Sequence, residues 1–434
     1  MFAYYLHLGL RSLKRNPILT ALMVVGIALG IAASMTTLTV MHLMGSDPIP
    51  WTSDKLHYVQ LDNWSPDQPY NDDGSPPDQV TYRDAVALMA AARADRQVAM
   101  FKLALPIQPT NPELKPFRAL VRVAGADFFP MFEPPFQYGS GWDRRQDGEH
   151  ARVVVLGKAI NEKLFGGQDS VGKTVRMDGV DYTVTGVLDD WHLRAKYYDL
   201  TGGAFTDPDE LYMPFTTGID LKQRASGNNS CWSAPGSGWE AYLDSDCVWI
   251  QMWVELDSPA RLAGYTAFLD DYVNEQKKLG RFPRPLNNRL LDVNEWMADQ
   301  RVVSRDVQVQ TGLGFAFLLV CLVNTIGLLL AKFTRKAGEI GLRRALGASR
   351  REVFTQFLVE SGVIGISGGV LGLALTALGL LAVRALYSEY QTVAALDWMM
   401  VAATIVLSIV AALLAGLYPT WRACRVQPAA QLKI

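Results

Sequence analysis

An excess of either charge is missing from this 434-residue chain. It carries 41 Lys and Arg against 43 Asp and Glu, a formal net charge of −2. No basic surplus is available to meet a phosphate backbone, so a nucleic-acid partner is excluded. Charge is also scarce: 19% of residues are Asp, Glu, Lys or Arg, while 49% are hydrophobic. A disordered chain has the opposite composition. Cysteines number four and histidines five. His7, His42, His57, His150 and His192 have no partners at metal-ligand spacing. No paired-carboxylate or thiol–imidazole pattern stands out. The sequence therefore offers no catalytic residues, no metal site and no cofactor site, and no enzyme is expected of this chain by itself.

The scarce charge is sorted along the chain. Residues 17–44, 308–331, 361–383 and 398–421 contain no Asp, Glu, Lys or Arg. A helix needs roughly 20 apolar residues to cross the hydrocarbon of a bilayer, and buried helices of a soluble protein would show polar faces. Four membrane spans are expected. Residues 45–307 hold 27 Lys and Arg against 38 Asp and Glu, a net of −11. The short segments 1–16, 332–352 and 422–434 hold 13 basic residues against Glu339 and Glu352, a net of +11. Short basic segments stay in the cytoplasm. Both termini and the connector 332–352 are expected inside, and residues 45–307 and the loop 384–397 outside. The first stretch is about twice as long as a signal-peptide core and reads as an uncleaved anchor, despite small residues at Ala32, Ala33 and Ser34. Before it, Phe2, Tyr5, Leu6, Gly9, Leu10 and Leu13 have helical spacing beside Arg11 and Lys14. That fits an amphipathic helix on the lipid surface or an extension of the first span.

The external part reads as mixed α/β. Helices are expected over 80–93, 158–165 and 262–277, with a turn or short helix over 127–132. Strands are expected over 101–106, 118–123, 151–156, 173–177, 182–187 and 248–256, with a hairpin turn at 178–181. Residues 199–247 are rich in Gly, Ser, Pro and Asp and read as a long loop. Cys231 and Cys247 fall in it, and an oxidising compartment is expected to join them in a disulfide. Cys321 and Cys424 fall in a spanning helix and the tail.

Two motifs match by letter and fail by context. Gly167-Gln-Asp-Ser-Val-Gly-Lys-Thr174 satisfies the phosphate-loop pattern. That mechanism needs a strand before the loop and a helix after it. Here a helical segment precedes and an alternating strand follows, on the side without ATP. Gly166, Gly167 and Gly172 read as turn formers. Gly365-Ile-Ser-Gly-Gly369 satisfies the nucleophile-elbow pattern, but Ser367 lies in an apolar span without His–Asp partners. Gly365/Gly369 and Gly368/Gly372 are small-xxx-small pairs that let helix backbones approach, within the chain or between subunits. Glu360, near the start of the third span, is expected close enough to the interface to be wet, with a structural or interfacial role.

The most informative segment is Arg335-Lys-Ala-Gly-Glu-Ile-Gly-Leu-Arg-Arg-Ala-Leu-Gly-Ala-Ser-Arg350. Ile340, Leu342, Ala345 and Leu346 are expected on one apolar helical edge, stopped at Gly347. Ser349 can cap the next helix, with Glu352 three residues on. A short helix held between two spans suits docking onto a partner. This segment, with Gln356-Phe-Leu-Val-Glu360, resembles the signature of MacB/FtsX-type ABC transporter permeases. The opening Leu10-Arg-Ser-Leu-Lys-Arg-Asn-Pro17, the run 153–187 and the closing Gly416-Leu-Tyr-Pro-Thr-Trp-Arg-Ala-Cys-Arg-Val-Gln-Pro-Ala-Ala-Gln-Leu432 resemble that family too.

The resemblance implies an α-helical membrane protein with four transmembrane helices (17–44, 308–331, 353–383 and 398–421) plus a large periplasmic α/β domain. In that domain a porter-like subdomain (50–124 and 206–305) carries an inserted β-rich subdomain (125–205). It implies a multi-pass permease of the bacterial inner membrane, paired with a second permease copy or a paralogue. A pair of ABC ATPase subunits would bind ATP and Mg. Their closure would be transmitted to the periplasmic domain and drive export with a periplasmic adaptor and an outer-membrane channel. Residues 338–348 match the coupling segment, which assigns Glu339, Arg343, Arg344, Leu346 and Gly347 to the ATPase interface. Lipoprotein extraction, or activation of a cell-wall hydrolase or signalling partner, is the alternative within the same resemblance. There are departures from the pattern. About 16 residues precede the first span where MacB carries its ATPase, which places the ATPase on a separate subunit. The tail reads Thr420-Trp421 and Gln431-Leu-Lys433, and the loop 199–247 is long. These departures fit one member of a heterodimeric permease pair.

Overall fold

The computed structural model describes residues 16–191, 193–386 and 398–424. Most of segment 1–16, of the loop 384–397 and of the tail 422–434 lies outside the described residues, as does His192. Two units separate: Asp47–Val302, and Met1–Ser46 with Val303–Ile434. The principal helices, in chain order, are α1 (Pro17–Met44), α2 (Tyr82–Ala91), α3 (Phe215–Asp220), α4 (Pro259–Lys278), α5 (Arg305–Arg335), α6 (Ala337–Ala345), α7 (Arg350–Leu386) and α8 (Trp398–Cys424). The strands are β1 (Leu56–Gln60), β2 (Val80–Thr81), β3 (Arg96–Gln108), β4 (Phe117–Ala124), β5 (Phe136–Gly139), β6 (Val153–Leu156), β7 (Thr174–Met177), β8 (Val180–Leu188), β9 (Leu211–Pro214), β10 (Val248–Glu255) and β11 (Arg289–Asp292).

In the helical unit, α1, α5, α7 and α8 are each long and apolar enough to cross a membrane. Lipid tails are as apolar as leucine, so close backbone packing must hold such helices together. The glycines of α7 provide it on two faces. A Cβ at Gly365 would fall 1.8 Å from the Ala412 Cβ, and one at Gly369 would fall 2.4 Å from the Ser408 Oγ, both on α8. A Cβ at Gly368 or Gly372 would meet Ile27 or Ile31 of α1 at 2.8 and 3.0 Å. The two overlapping pairs therefore serve two different helices of the same chain. Hydroxyls in the spans turn back on their own helices: Thr376 donates to Gly372 O at 2.9 Å and Thr404 to Met400 O at 2.7 Å. That leaves no bare donor facing hydrocarbon at these positions.

The α/β unit is built on one sheet with the strand order β11-β1-β10-β3-β4-β9-β6-β8-β5. β10 lies inside it, and all its residues are buried. β7 pairs with both β3 and β8. The pairings β3–β4, β4–β9, β9–β6, β6–β8, β8–β7 and β7–β3 consequently close into a ring of six strands. Leu103, Leu105, Val121, Val154, Val184 and Leu211 from these strands share one buried cluster. The strands of the expected inserted subdomain thus continue the same sheet through β9.

One reading of the sequence changes here, and two others meet their expectation. Residues 199–247 are more than a loop: they contain β9, α3 and a helical turn at Trp239–Leu243. A four-residue strand ending in Pro214, among glycines and serines, has too little pattern to stand out. Cys231 and Cys247 are bonded, with Cα atoms 4.2 Å apart. Beside them Ser230 bridges to Val248, so the Gly/Ser-rich segment is fastened to the start of β10. The phosphate-loop lookalike is followed by β7 and preceded by the helix Lys158–Phe165, and the Lys173 ammonium lies 5.2 Å from the Phe165 ring centre. This order of elements presents no helix N-terminus to a phosphate.

The packing of α7 makes a contrast testable. Gly365→Val should lower the thermal stability of the detergent-solubilised protein by the equivalent of about 1–3 kcal/mol, since the clash is with a neighbouring helix. Gly362→Ala, where nothing lies within 4 Å, should leave the melting temperature unchanged or raise it. Equal behaviour of the two variants would contradict the helix contacts described.

Candidate functional site

The connector between α5 and α7 forms a rigid corner. α6 ends at Ala345, and Gly347 follows at φ +103°, a conformation open to glycine. The Ala348 N–H donates to Arg343 O at 3.0 Å and the Gly347 N–H to Arg344 O at 3.2 Å. This pair of bonds is a Schellman closure and satisfies the last carbonyls of the helix. α7 begins with a reciprocal cap: the Glu352 N–H donates to Ser349 Oγ at 3.2 Å, and the Ser349 N–H to Glu352 at 2.8 Å.

The side chains of this corner face in two directions. Arg343 donates to Glu339 at 2.8 Å and to Gln356 at 3.1 Å, which ties α6 to α7. Ile340 is buried, whereas Leu342 is 55% exposed and Leu346 80% exposed. The single apolar edge expected from the sequence is therefore divided. Ile340 joins the interior with Val353 and Phe357, and Leu342, Ala345 and Leu346 remain outside. Arg344 is half-buried, and Gly347 is exposed. An outward surface with two leucines beside two arginines is suited to a partner with an apolar recess and acidic groups.

Beneath the corner lies a charge site that the sequence reading misplaced. Glu360 is 1% exposed, not wet. α7 starts at Arg350, so Glu360 sits almost three turns inside a helix. Lys332 approaches it at 2.8 Å and Lys336 at 3.3 Å, both from the end of α5. A buried carboxylate requires such partners. The sequence signal was available in Lys332, Lys336 and Glu360, whose spacing from the corner at Gly347 is nearly symmetrical.

The α/β unit holds a second buried cluster, which sequence reasoning did not find. Arg122 of β4 is fully buried. Its Nε donates to Asp209 at 2.8 Å, one terminal nitrogen to Gln251 at 2.7 Å and the other to Asp199. Lys196 donates to Asp209 at 2.9 Å, Lys102 lies 2.8 Å from Asp199, and the Tyr198 hydroxyl donates to Asp209 at 3.1 Å. Burial works against each charge, yet Asp199 and Asp209 hold the guanidinium above its ordinary value. Burial would raise Asp199, but Arg122 and Lys102 hold it well below the usual carboxylate range; burial likewise works against Asp209, which Arg122 and Lys196 lower. The cluster fixes β3, β4 and β10 to the chain entering β9. Its members are scattered from 102 to 251, so no local spacing announces them.

Comparison with known proteins adds to this geometry. Residues 20–269 match the family model described as MacB-like periplasmic core domain, and residues 311–428 that described as FtsX-like permease C-terminal. The macrolide export ATP-binding/permease protein MacB of Chlorobaculum tepidum is 24% identical over 68% of this chain and 40% of its own length. The ABC transporter permease YvrN of Bacillus subtilis is 21% identical over 71% of this chain and 68% of its own. The chain thus spans about two fifths of the length of several MacB relatives. The crystal structure of the periplasmic region of MacB from Actinobacillus actinomycetemcomitans aligns with 60% of this chain and 98% of its own, at 14% identity and a TM-score of 0.38.

The Arg122 cluster predicts two results. Arg122→Met leaves two buried carboxylates without their main partner and should cost about 3–5 kcal/mol of stability, read by denaturant unfolding followed through tryptophan fluorescence. Because Asp199 and Asp209 are depressed, their contribution is complete at neutral pH. It should fade as the pH falls below about 4. An acid-insensitive unfolding midpoint would contradict this account.

Proposed function

We propose, from the premise that this chain belongs to the family of the MacB-like periplasmic core domain joined to an FtsX-like permease region, that it transmits movement from ABC ATPase subunits to its periplasmic domain. The observation that carries the proposal is the corner at α6. A nine-residue helix is fastened at one end by the Schellman closure and at its side by Arg343–Gln356. It is footed on the Lys332–Glu360–Lys336 cluster. On this proposal, a push on Leu342 and Leu346 passes through these fastenings to α5 and α7. The basic charge of segments 332–352 and 422–434 supports a cytoplasmic position for this corner.

On this reading ATP and Mg belong to the ATPase partners, and the permease contributes no chemistry of its own. The permease works as a pair with a second copy or a paralogue, in the inner membrane. The relatives named for macrolide export support an export role; within the proposal, the exported molecule is collected on the periplasmic side and passed through an adaptor to an outer-membrane channel.

The test is purification of the tagged full-length protein in mild detergent, with identification of co-purifying subunits by mass spectrometry. An ABC ATPase is expected, and its absence overturns the reading. Leu346→Asp, at an exposed position, and Arg343→Glu combined with Arg344→Glu should each reduce recovered ATPase at least about tenfold, a loss of about 1.4 kcal/mol in binding. The amount of permease in the membrane should stay the same. Undiminished ATPase recovery from these variants would remove α6 from the interface.

A further inference from the structure

The glycine pairs of α7 pack against α1 and α8 of the same chain, so they are not open to a second subunit. Exposed residues in the middle of α1, α7 and α8 carry hydrocarbon alone, such as Val25, Val370 and Val406. α5 breaks this rule. Asn324 is exposed and has no hydrogen-bond partner among the described residues. With a rise of about 1.5 Å per residue it lies roughly 10 Å from Ala331 and roughly 24 Å from Gln308, the ends of its charge-free stretch. An amide at that depth meets no water, so its N–H and C=O groups require a partner from outside the chain.

Asn324 belongs to a stripe. Leu313, Phe317, Val320, Asn324, Gly327 and Ala331 follow one another at spacings of four and three, and all six are exposed. That spacing keeps one stripe turned toward one neighbour in a left-handed helix pair. Glycine weakens a helix relative to alanine, yet a Cβ at Gly327 would meet nothing within 4 Å. Gly314 of the same helix differs: its Cβ would lie 3.2 Å from Ala33 O, so it serves α1. Small residues at 327 and 331 let a further helix come close beside Asn324.

The amide itself selects the occupant. Asparagine presents both donor and acceptor, so two of them satisfy each other. Copies of one chain insert in the same direction, so their α5 helices run parallel. A two-fold axis along the seam then sets each position against itself. We propose that α5 is the surface on which two copies of this chain pair, with register fixed by a reciprocal hydrogen bond between their Asn324 amides. The inference rests on the proposed pairing of the permease and names a second copy, rather than a paralogue, as the partner.

The test expresses the full-length protein from two gene copies with different tags and extracts it in mild detergent. Each tag should recover the other. For position, Val320→Cys, Ala331→Cys, Leu319→Cys and Val406→Cys are made separately in a chain carrying Cys321→Ala and Cys424→Ala, and membranes are oxidised with copper phenanthroline. Val320→Cys and Ala331→Cys should form disulfide-linked dimers. Leu319→Cys and Val406→Cys, exposed but off the seam, should not. The Val320→Cys cross-link is then followed in liposomes as lipid dilutes the protein. Asn324→Leu should bring it to half its yield at a dilution about three- to tenfold lower. Asn324→Gln, which keeps the amide, should retain most of the affinity. Separate recovery of the two tags, cross-linking equal on and off the seam, or a yield unmoved by Asn324→Leu would each overturn the proposal. Tags that co-purify with cross-links only off the seam leave the pair standing and remove α5 from it. Whether an ABC ATPase is present in the same preparation tests the transmission reading alone.

Discussion

A hydrocarbon layer offers no hydrogen bonds, and the helical unit is arranged around that fact. Every backbone group in a span must be satisfied by its own helix, so the charge-free stretches become α1, α5, α7 and α8. With no water to expel, cohesion between them depends on how closely backbones approach. α7 becomes the hub because its glycines occupy two faces at once. Among the described residues of this unit, Glu360 and Lys332 are buried charged side chains, and they lie together with Lys336 beside them. The α6 corner inherits its stiffness from these arrangements, since α5 and α7 are joined by packing along their length and by charge at their ends.

Much of this was legible in the chain. Depletion of charge marks spans because each misplaced charge in lipid is expensive, which leaves a strong statistical trace over some twenty residues. The glycine pairs, the Gly347 stop and the Ser349–Glu352 cap are local devices, written in residues three or four apart. What sequence reading located poorly was anything settled by distant partners. Glu360 looked wet because its burial depends on where α7 begins and on two lysines of another helix. Ile340 and Leu342 looked equivalent because both are apolar, and only the packing of α6 on α7 separates them.

In the α/β unit the same divide appears. The strands β6, β7 and β8 carry clear alternation or apolar runs, and they were found. β9 was lost in a Gly- and Ser-rich segment because four residues give no period. Arg122 falls in the strand expected over 118–123, where nothing local marks it out. Its importance comes from Asp199, Asp209 and Gln251, which the fold brings to it from well beyond β4.

The closed ring of six strands carries a consequence for how the protein is made. β3 and β4 form a local hairpin, but β4 has no neighbour on its other side until β9 arrives, five strands later in the chain. Loop-closure entropy must be met before so distant a pairing is rewarded, and domains dominated by such contacts fold slowly. The buried guanidinium of Arg122 acquires its carboxylates from the chain just before β9, at the same late moment. A chain emerging across the membrane from its N-terminus therefore passes through a long interval with an open sheet edge and an uncompensated charge at its centre, the interval in which it is most exposed to aggregation and proteolysis.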